Sequence, residues 1–339
     1  MWQQLLEFKQ TDRRWHFGVL AGLSVGIPLL AGYFTGHMPE GKLASLAGLV
    51  ILYLHSHHLA SRMLTLMACS FGIMVSFAVG LLFSFNPYGA SLALGVFAFA
   101  VHGALYVLKM LRPPGNFFFI MVASTAICMP HHLATIPEKV GLVGIGTMVS
   151  CTLGLLYSLL TLKPSLPGPE VVTVVKNKEV HLVESLTFGL FVGLALLVAH
   201  LLQLENPYWA PTSCAAVMQG ASTRHIWQRS VQRVGGTFIG LGLAWGILLL
   251  QPSQLALCLG IIGLQVTVEL LVVRNYGLAV IFISILTILL AESGATLAHD
   301  PNDLLRARFF DILVGSLIGA LGGWVLYHEG LGLTPGSSR

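Results

Sequence analysis

About a dozen apolar runs follow one another along this chain, each close in length to a membrane-spanning helix. A helix needs about 20 apolar residues to cross the roughly 30 Å hydrocarbon core of a bilayer. The runs are 16–35, 43–60, 64–84, 89–108, 116–134, 139–162, 185–203, 207–220, 233–250, 254–273, 276–292 and 309–327. The sequence therefore predicts an all-α polytopic membrane protein with about twelve transmembrane helices.

The composition excludes an ordinary soluble fold. Of the 339 residues, 55% are hydrophobic and 9% are charged, whereas about 25% of the residues in a typical soluble domain are charged. So few charges cannot cover so large an apolar core. The partner that this composition implies is the lipid bilayer, and the net charge of +4 gives no reason to expect nucleic acid.

The lysines and arginines predict the orientation. With twelve spans and a cytoplasmic N-terminus, fourteen of the 18 Lys and Arg residues fall on the inner side. Cytoplasmic loops are enriched in these residues, and one missed span would reverse the distribution beyond it. We therefore expect a multi-pass protein of the bacterial inner membrane with both termini in the cytoplasm.

The chain repeats its pattern of spans at a period near 165 residues. The first six spans occupy residues 1–162 and the last six occupy 185–339, separated by a polar, proline-containing cytoplasmic linker at 163–184. Because six is an even number, both halves begin and end on the same side of the membrane. The sequence therefore predicts two parallel six-helix repeats.

Two arginines at the beginning of the ninth span are candidate contacts for an anion. Arg229 and Arg233 are four residues apart and so share one face of a helix. Small residues follow Arg233, and they allow a ligand or helix to approach the backbone closely. A guanidinium binds a carboxylate through two parallel hydrogen bonds. The alternative is that these arginines contact lipid phosphates and only fix the topology.

The eighth span is short and contains a proline. Trp209 and Pro211 begin it, and Thr212 and Ser213 follow with hydroxyl groups. Such a span is tolerated where it is buried in protein or lines a cavity, so these four residues are candidates for substrate binding. The alternative for the aromatic residues is an interfacial belt.

Glu269 and His102 are candidates for proton coupling. Glu269 is a carboxylate well inside a predicted span, and an ionisable group there is costly and points to function. His102 lies in the span that corresponds to it in the first half, at a similar depth, and histidine titrates near neutral pH. The alternative for both is hydrogen bonding between helices.

Residues 206–244 resemble the FUSC family, the fusaric acid resistance and aromatic acid exporter group. The matching positions are Tyr208, Trp209, Ala210, Pro211, Thr212, Arg233, Gly236, Thr237 and Gly240. The first half shows a similar helix start at Pro113 and Pro114, but Cys69 stands where Arg233 stands in the second half. The chain is also distantly similar to the plant aluminium-activated malate channels.

This resemblance implies a secondary transporter that exports small, aromatic carboxylic acids and is driven by the proton motive force. A passive organic-anion channel and a non-transport scaffold subunit, docked through the linker, are the alternatives. The histidines near residue 55 lack the partners that complete a metal shell, and a Walker-type phosphate loop is absent from the sequence. We expect no metal, no cofactor and no enzymatic activity; a homodimer is compatible with the sequence.

Overall fold

The computed structural model describes residues 8, 10–11, 13–55, 58–110, 113–162, 178–220, 222–292 and 301–327. Within these residues the chain forms twelve α-helices, two short 3-10 segments and no strand. The helices are α1 (Trp15–Thr35), α2 (Met38–Ala47), α3 (Leu59–Leu82), α4 (Pro87–Val107), α5 (Phe117–Ile127), α6 (Ile136–Thr161), α7 (Lys178–Leu201), α8 (Trp209–Met218), α9 (Thr223–Leu249), α10 (Gln254–Leu271), α11 (Tyr276–Glu292) and α12 (Pro301–Tyr327). Each predicted span corresponds to one of these helices.

Eight of the described helices, α1, α3, α4, α6, α7, α9, α10 and α12, are long and apolar enough to cross a membrane. Of the other four, α2 and α8 with 10 residues each and α5 with 11 are shorter than the predicted spans, whereas α11 has the predicted 17 residues. In both halves of the chain, the helices follow the order long, short, long, long, short, long. Twelve complete crossings therefore stay a prediction, whereas the all-helical class is confirmed for the described residues.

Local sequence signals set several helix ends. Asn86 accepts hydrogen bonds from the backbone N–H groups of Tyr88 and Gly89 and so caps α4. Ser253 caps α10 in the same way through Ala256. α1 ends at Gly36, whose φ of 76° is the left-handed conformation in which glycine is favoured. α7 begins at Lys178, so residues 178–184 of the predicted linker are helical; residues 163–177 lie outside the described part.

The helices group into two compact units, and each unit draws helices from both halves of the sequence. α3, α9 and α12 are divided between the units, after Val75, Val234 and Phe309. Unit 1 contains α1, α2, α6, α10 and α11 whole. Unit 2 contains α4, α5, α7 and α8 whole, with most of α12.

In unit 1, α1 packs against α2, α6 and α10, and α10 packs against α11. The contact with α10 is close because Gly22 and Gly26 of α1 face it: a methyl group at either glycine would lie 2.6 Å from side-chain atoms of α10. The core of this unit includes Leu29 from α1 and Ile261 from α10, both fully buried.

In unit 2, α4 packs against α7, and α8 packs against α5 and α7. A methyl group at Gly189 of α7 would lie 2.6 Å from the carbonyl oxygen of Gly95 in α4, so the two backbones are in direct contact. Leu94 and Leu196 lie at the centre of the core around this contact.

The packing inside one unit recurs inside the other at a nearly constant sequence shift. The packing of α10 on α1 in unit 1 corresponds to the packing of α4 on α7 in unit 2. The packing of α6 on α2, where Gly146 approaches Ala44, corresponds to the packing of α12 on α8, where Gly315 approaches Ala210. The shift is close to the period of the sequence. The division into two six-helix repeats stays a prediction, and this recurrence supports it.

Candidate functional site

The short helix α8 is buried along its length. Pro211, Thr212 and Ser213 are buried, and the helix packs between α5 and α7 of unit 2. Thr212 donates its hydroxyl to the carbonyl oxygen of Tyr208 at 2.8 Å, a bond within the helix. Trp209 is half-buried at its beginning. The burial expected of a short span with a proline is therefore present.

Arg233 is anchored inside unit 2. Arg233 is only 3% exposed, and its Nη2 donates a hydrogen bond to the hydroxyl oxygen of Ser213 at 3.3 Å. This bond joins α9 to the middle of α8. The two predicted substrate-binding residues Arg233 and Ser213 are thus brought together, but as partners of each other.

Arg229 lies one helical turn away and in a different environment. Its Nη1 donates to the carbonyl oxygen of Ala216 at 2.8 Å. That oxygen is in the last turn of α8, where carbonyl groups lack a partner within the helix and where the helix dipole favours a positive charge. Arg229 also lines a cavity of unit 2.

This cavity has a volume of about 310 Å³, at the lower end of the range of small-molecule pockets. Its apolar wall includes Phe188, Met218 and the Pro113–Pro114 turn. Gln219 donates its amide N–H to the carbonyl oxygen of Pro114 at 3.0 Å and so holds that turn in place. Its polar wall is formed by His102, His181, Glu184, Gln219, Asn116 and Arg229.

Two histidines of this wall are joined by one serine. His102 Nδ1 lies 2.9 Å from Ser185 Oγ, and His181 Nε2 lies 3.2 Å from the same oxygen. His181 Nδ1 is 3.5 Å from a carboxylate oxygen of Glu184. The result is a continuous polar chain from α4 to α7 along one side of the cavity.

The two imidazole rings are stacked. Their centroids are 5.0 Å apart and their planes differ by 14°. Tyr106 stacks on His181 with ring centroids 3.7 Å apart, and Phe188 stacks on His102 with ring centroids 5.2 Å apart. Two positive charges about 5 Å apart repel each other by roughly 3 kcal/mol at an effective dielectric constant near 20. The pair therefore holds one proton far more readily than two.

Glu269 is placed in unit 1. It is buried in α10 and forms an ion pair with Arg13, whose guanidinium also lies 4.5 Å from the ring centre of Phe17. Glu269 and His102 are thus not brought together within one unit, and their role in proton coupling stays a prediction.

Sequence reasoning missed three residues of the polar chain, namely His181, Glu184 and Ser185. The first two fall in the segment predicted as linker, and Ser185 is its neighbour at the start of the predicted span. The signal that could have identified them is helical spacing: His181, Ser185 and Phe188 stand at positions i, i+4 and i+7, which share one helix face. His181 and Phe188 of this face line the cavity.

The comparisons with known proteins agree with the resemblance seen in the sequence. Residues 194–322 match the family model described as fusaric acid resistance protein-like. This segment contains α8, α9, Arg229 and Arg233. The resemblance to the fusaric acid resistance family is therefore confirmed over these residues.

One relative is an uncharacterized membrane protein of Bacillus subtilis (strain 168), YvaC, which is 36% identical over 151 residues. The match covers 44% of this chain and 23% of that protein, so the chain corresponds to less than a quarter of its relative. No solved structure matches this chain. Together with the apolar helices, these similarities indicate a multi-pass membrane protein.

Proposed function

From the family match over residues 194–322 and the cavity of unit 2, we propose that this protein is a secondary transporter that exports small organic anions. Aromatic carboxylates are the proposed substrate class, and the inner membrane is the proposed location. The observation that carries the proposal is that a cavity of ligand size holds the guanidinium of Arg229 beside an apolar wall.

The chemistry of the cavity suits an aromatic carboxylate. Arg229 uses Nη1 to bond Ala216, and a guanidinium has five N–H donors in a planar fork. It can therefore hold the helix end and a carboxylate at the same time. Phe188 and the Pro113–Pro114 turn would pack against the ring of the substrate, as apolar walls do in most ligand pockets.

Export fits the predicted orientation. The cavity lies at the ends of α4 and α7 that the distribution of lysine and arginine places in the cytoplasm. An inside-negative membrane potential favours the outward movement of an anion by about 2.3 kcal/mol per charge per 100 mV. The electrical part of the proton motive force can therefore drive export from this cavity.

Counterflow in proteoliposomes tests the proposal. Vesicles loaded with unlabelled benzoate are diluted into labelled benzoate at equal pH, and uptake is compared with protein-free vesicles. A carrier gives a transient accumulation of label, and we expect Arg229→Ala to abolish it. Arg224→Ala is the control, since Arg224 is an exposed arginine of the same helix.

Two results would contradict the proposal. Absence of protein-dependent benzoate flux would remove this substrate class. Flux without transient accumulation would identify a passive anion channel, because only a carrier exchanges one substrate molecule for another across the membrane.

A further inference from the structure

The two histidines that share Ser185 line the cavity that contains the proposed anion site. We infer that His102, Ser185 and His181 form a single-proton site that supplies a second positive charge beside Arg229, so that the anion and the proton bind cooperatively. The inference rests on the proposed function, since it concerns the same cavity. It adds residues and a proton that the family match does not assign.

Ser185 is the junction of the site. Its oxygen has three polar neighbours: His102 Nδ1 at 2.9 Å, His181 Nε2 at 3.2 Å and the backbone carbonyl of His181 at 2.9 Å. A hydroxyl offers one hydrogen and two lone pairs. It can donate to the carbonyl and accept from both rings, or donate to one ring and accept from the other.

A proton can pass between the rings through this hydroxyl. Protonated His181 gives its Nε2 proton to Ser185 Oγ, and the original hydroxyl hydrogen moves to Nδ1 of neutral His102. His181 becomes neutral, His102 becomes the cation, and Ser185 keeps one hydrogen. The net charge of the pair stays at +1, and the stacking of the rings disfavours a second proton.

The described titratable and charged groups around the pair come from four helices: His102 and Tyr106 from α4, His181 and Glu184 from α7, Arg229 from α9 and Tyr327 from α12. The segments around α5 and α8 contribute proline, glycine, asparagine, methionine and glutamine to the cavity. Glu184 favours a proton on His181, whereas Arg229 opposes it. Among the described groups of the cavity, these two charges act on the pair in opposite directions.

An anion changes this balance. A carboxylate held by Arg229 offsets the positive charge that opposes protonation, and the protonated pair in turn attracts the carboxylate. Such coupling is reciprocal, and a typical coupling changes affinity by about 5- to 150-fold. We therefore expect the cytoplasm-facing cavity to bind organic anions more tightly at lower pH, and the proton to return to the cytoplasm before the anion leaves, because a proton carried out with a carboxylate would cancel the charge on which the membrane potential acts.

The experiment is a benzoate titration of the full chain in lipid nanodiscs by calorimetry, at about pH 6 and about pH 8, values that bracket the ordinary histidine pKa. Benzoate stays ionised at both values because carboxyl groups titrate near pH 4. Buffers of different ionisation enthalpy report the protons taken up. We expect binding to be about tenfold tighter at the lower pH, with uptake of up to one proton per benzoate.

Variants locate the proton. The double variant His102→Gln/His181→Gln should lose the pH dependence of benzoate binding and the proton uptake. His132→Gln, an exposed histidine outside the cavity, is the matched control and should keep both. If the double variant does not fold, the pH dependence of benzoate binding is measured in His102→Gln and in His181→Gln separately, and at least one of the two should weaken it.

The outcomes separate this inference from the proposed function. Benzoate binding with equal affinity at both pH values and no proton uptake would overturn the proton site and leave the anion site standing. A pH dependence that persists without both histidines would also overturn it. No benzoate binding at either pH would overturn both proposals.

Discussion

Arg229 and Arg233 are one helical turn apart on α9, yet they lie in different surroundings and bind different partners. Arg233 is buried and bonded to Ser213, whereas Arg229 bonds the end of α8 and lines the cavity. The sequence predicted both as anion contacts because spacing alone puts them on one face. Only the positions of their partners separate them.

The first prediction compares these two arginines in benzoate binding. We expect Arg229→Ala to weaken affinity by about tenfold or more, since a charge-assisted bond to the carboxylate is lost. Arg233→Ala should change the affinity of the folded protein by less than about threefold but lower its melting temperature. Calorimetric titration and thermal denaturation measure the two effects. Equal losses of affinity would restore the role predicted for Arg233.

Glu269 gives a second prediction at this scale. Replacing it by Gln leaves Arg13 without its buried countercharge, so we expect stability to fall by roughly 1–3 kcal/mol. Benzoate counterflow per folded molecule should be retained. Thermal denaturation and counterflow on the same preparation check this. A stable variant without counterflow would instead support the proton-coupling role predicted from the sequence.

At the scale of elements, the packing of α4 on α7 positions the histidine pair. His102 and Ser185 can meet only because Gly95 and Gly189 bring the two backbones together. Small residues allow this close approach of helices in membranes. The geometry of the site therefore depends on glycines, which have no functional side chain.

A third prediction tests this dependence. In Gly189→Ala the added methyl group would lie 2.6 Å from a backbone oxygen of α4, and we expect a loss of about 1–3 kcal/mol in stability. In Gly242→Ala the methyl group meets no atom within 4 Å, and alanine favours a helix over glycine by about 0.5–1 kcal/mol. Thermal denaturation should therefore shift in opposite directions. A shared direction would show that α4 and α7 are less closely packed.

Hydropathy predicted which parts of the chain are helical but not how far each helix extends. It gave one run for each of the twelve helices, because apolar side chains must face lipid or protein. It missed the first turns of α7, since Lys178 and Glu184 are polar. It overestimated the length of α5, which ends at Ile127 before a turn. Contacts such as Arg13 with Glu269 join residues far apart in sequence, and hydropathy carries no information on such pairs.

At the scale of the whole molecule, the two predicted repeats differ where they correspond. Gly95 and Ile262 face the partner helix in their units and are 167 residues apart, and the same shift relates His102 to Glu269. In unit 1 this position holds an ion pair with Arg13, and in unit 2 it holds the histidine pair beside the cavity. Under the predicted repeat, this position is therefore polar in both units, and its chemistry differs between them.

The last prediction concerns the orientation of the molecule, on which export depends. In a variant whose native cysteines are replaced, Glu138→Cys at the beginning of α6 and Arg224→Cys at the beginning of α9 provide two exposed labelling sites. The positive-inside distribution places residue 138 outside and residue 224 inside. A membrane-impermeant maleimide should therefore label position 138 in intact cells and position 224 only after permeabilisation. The reverse pattern would open the cavity of unit 2 to the exterior, where Arg229 and the histidine pair would capture anions for uptake.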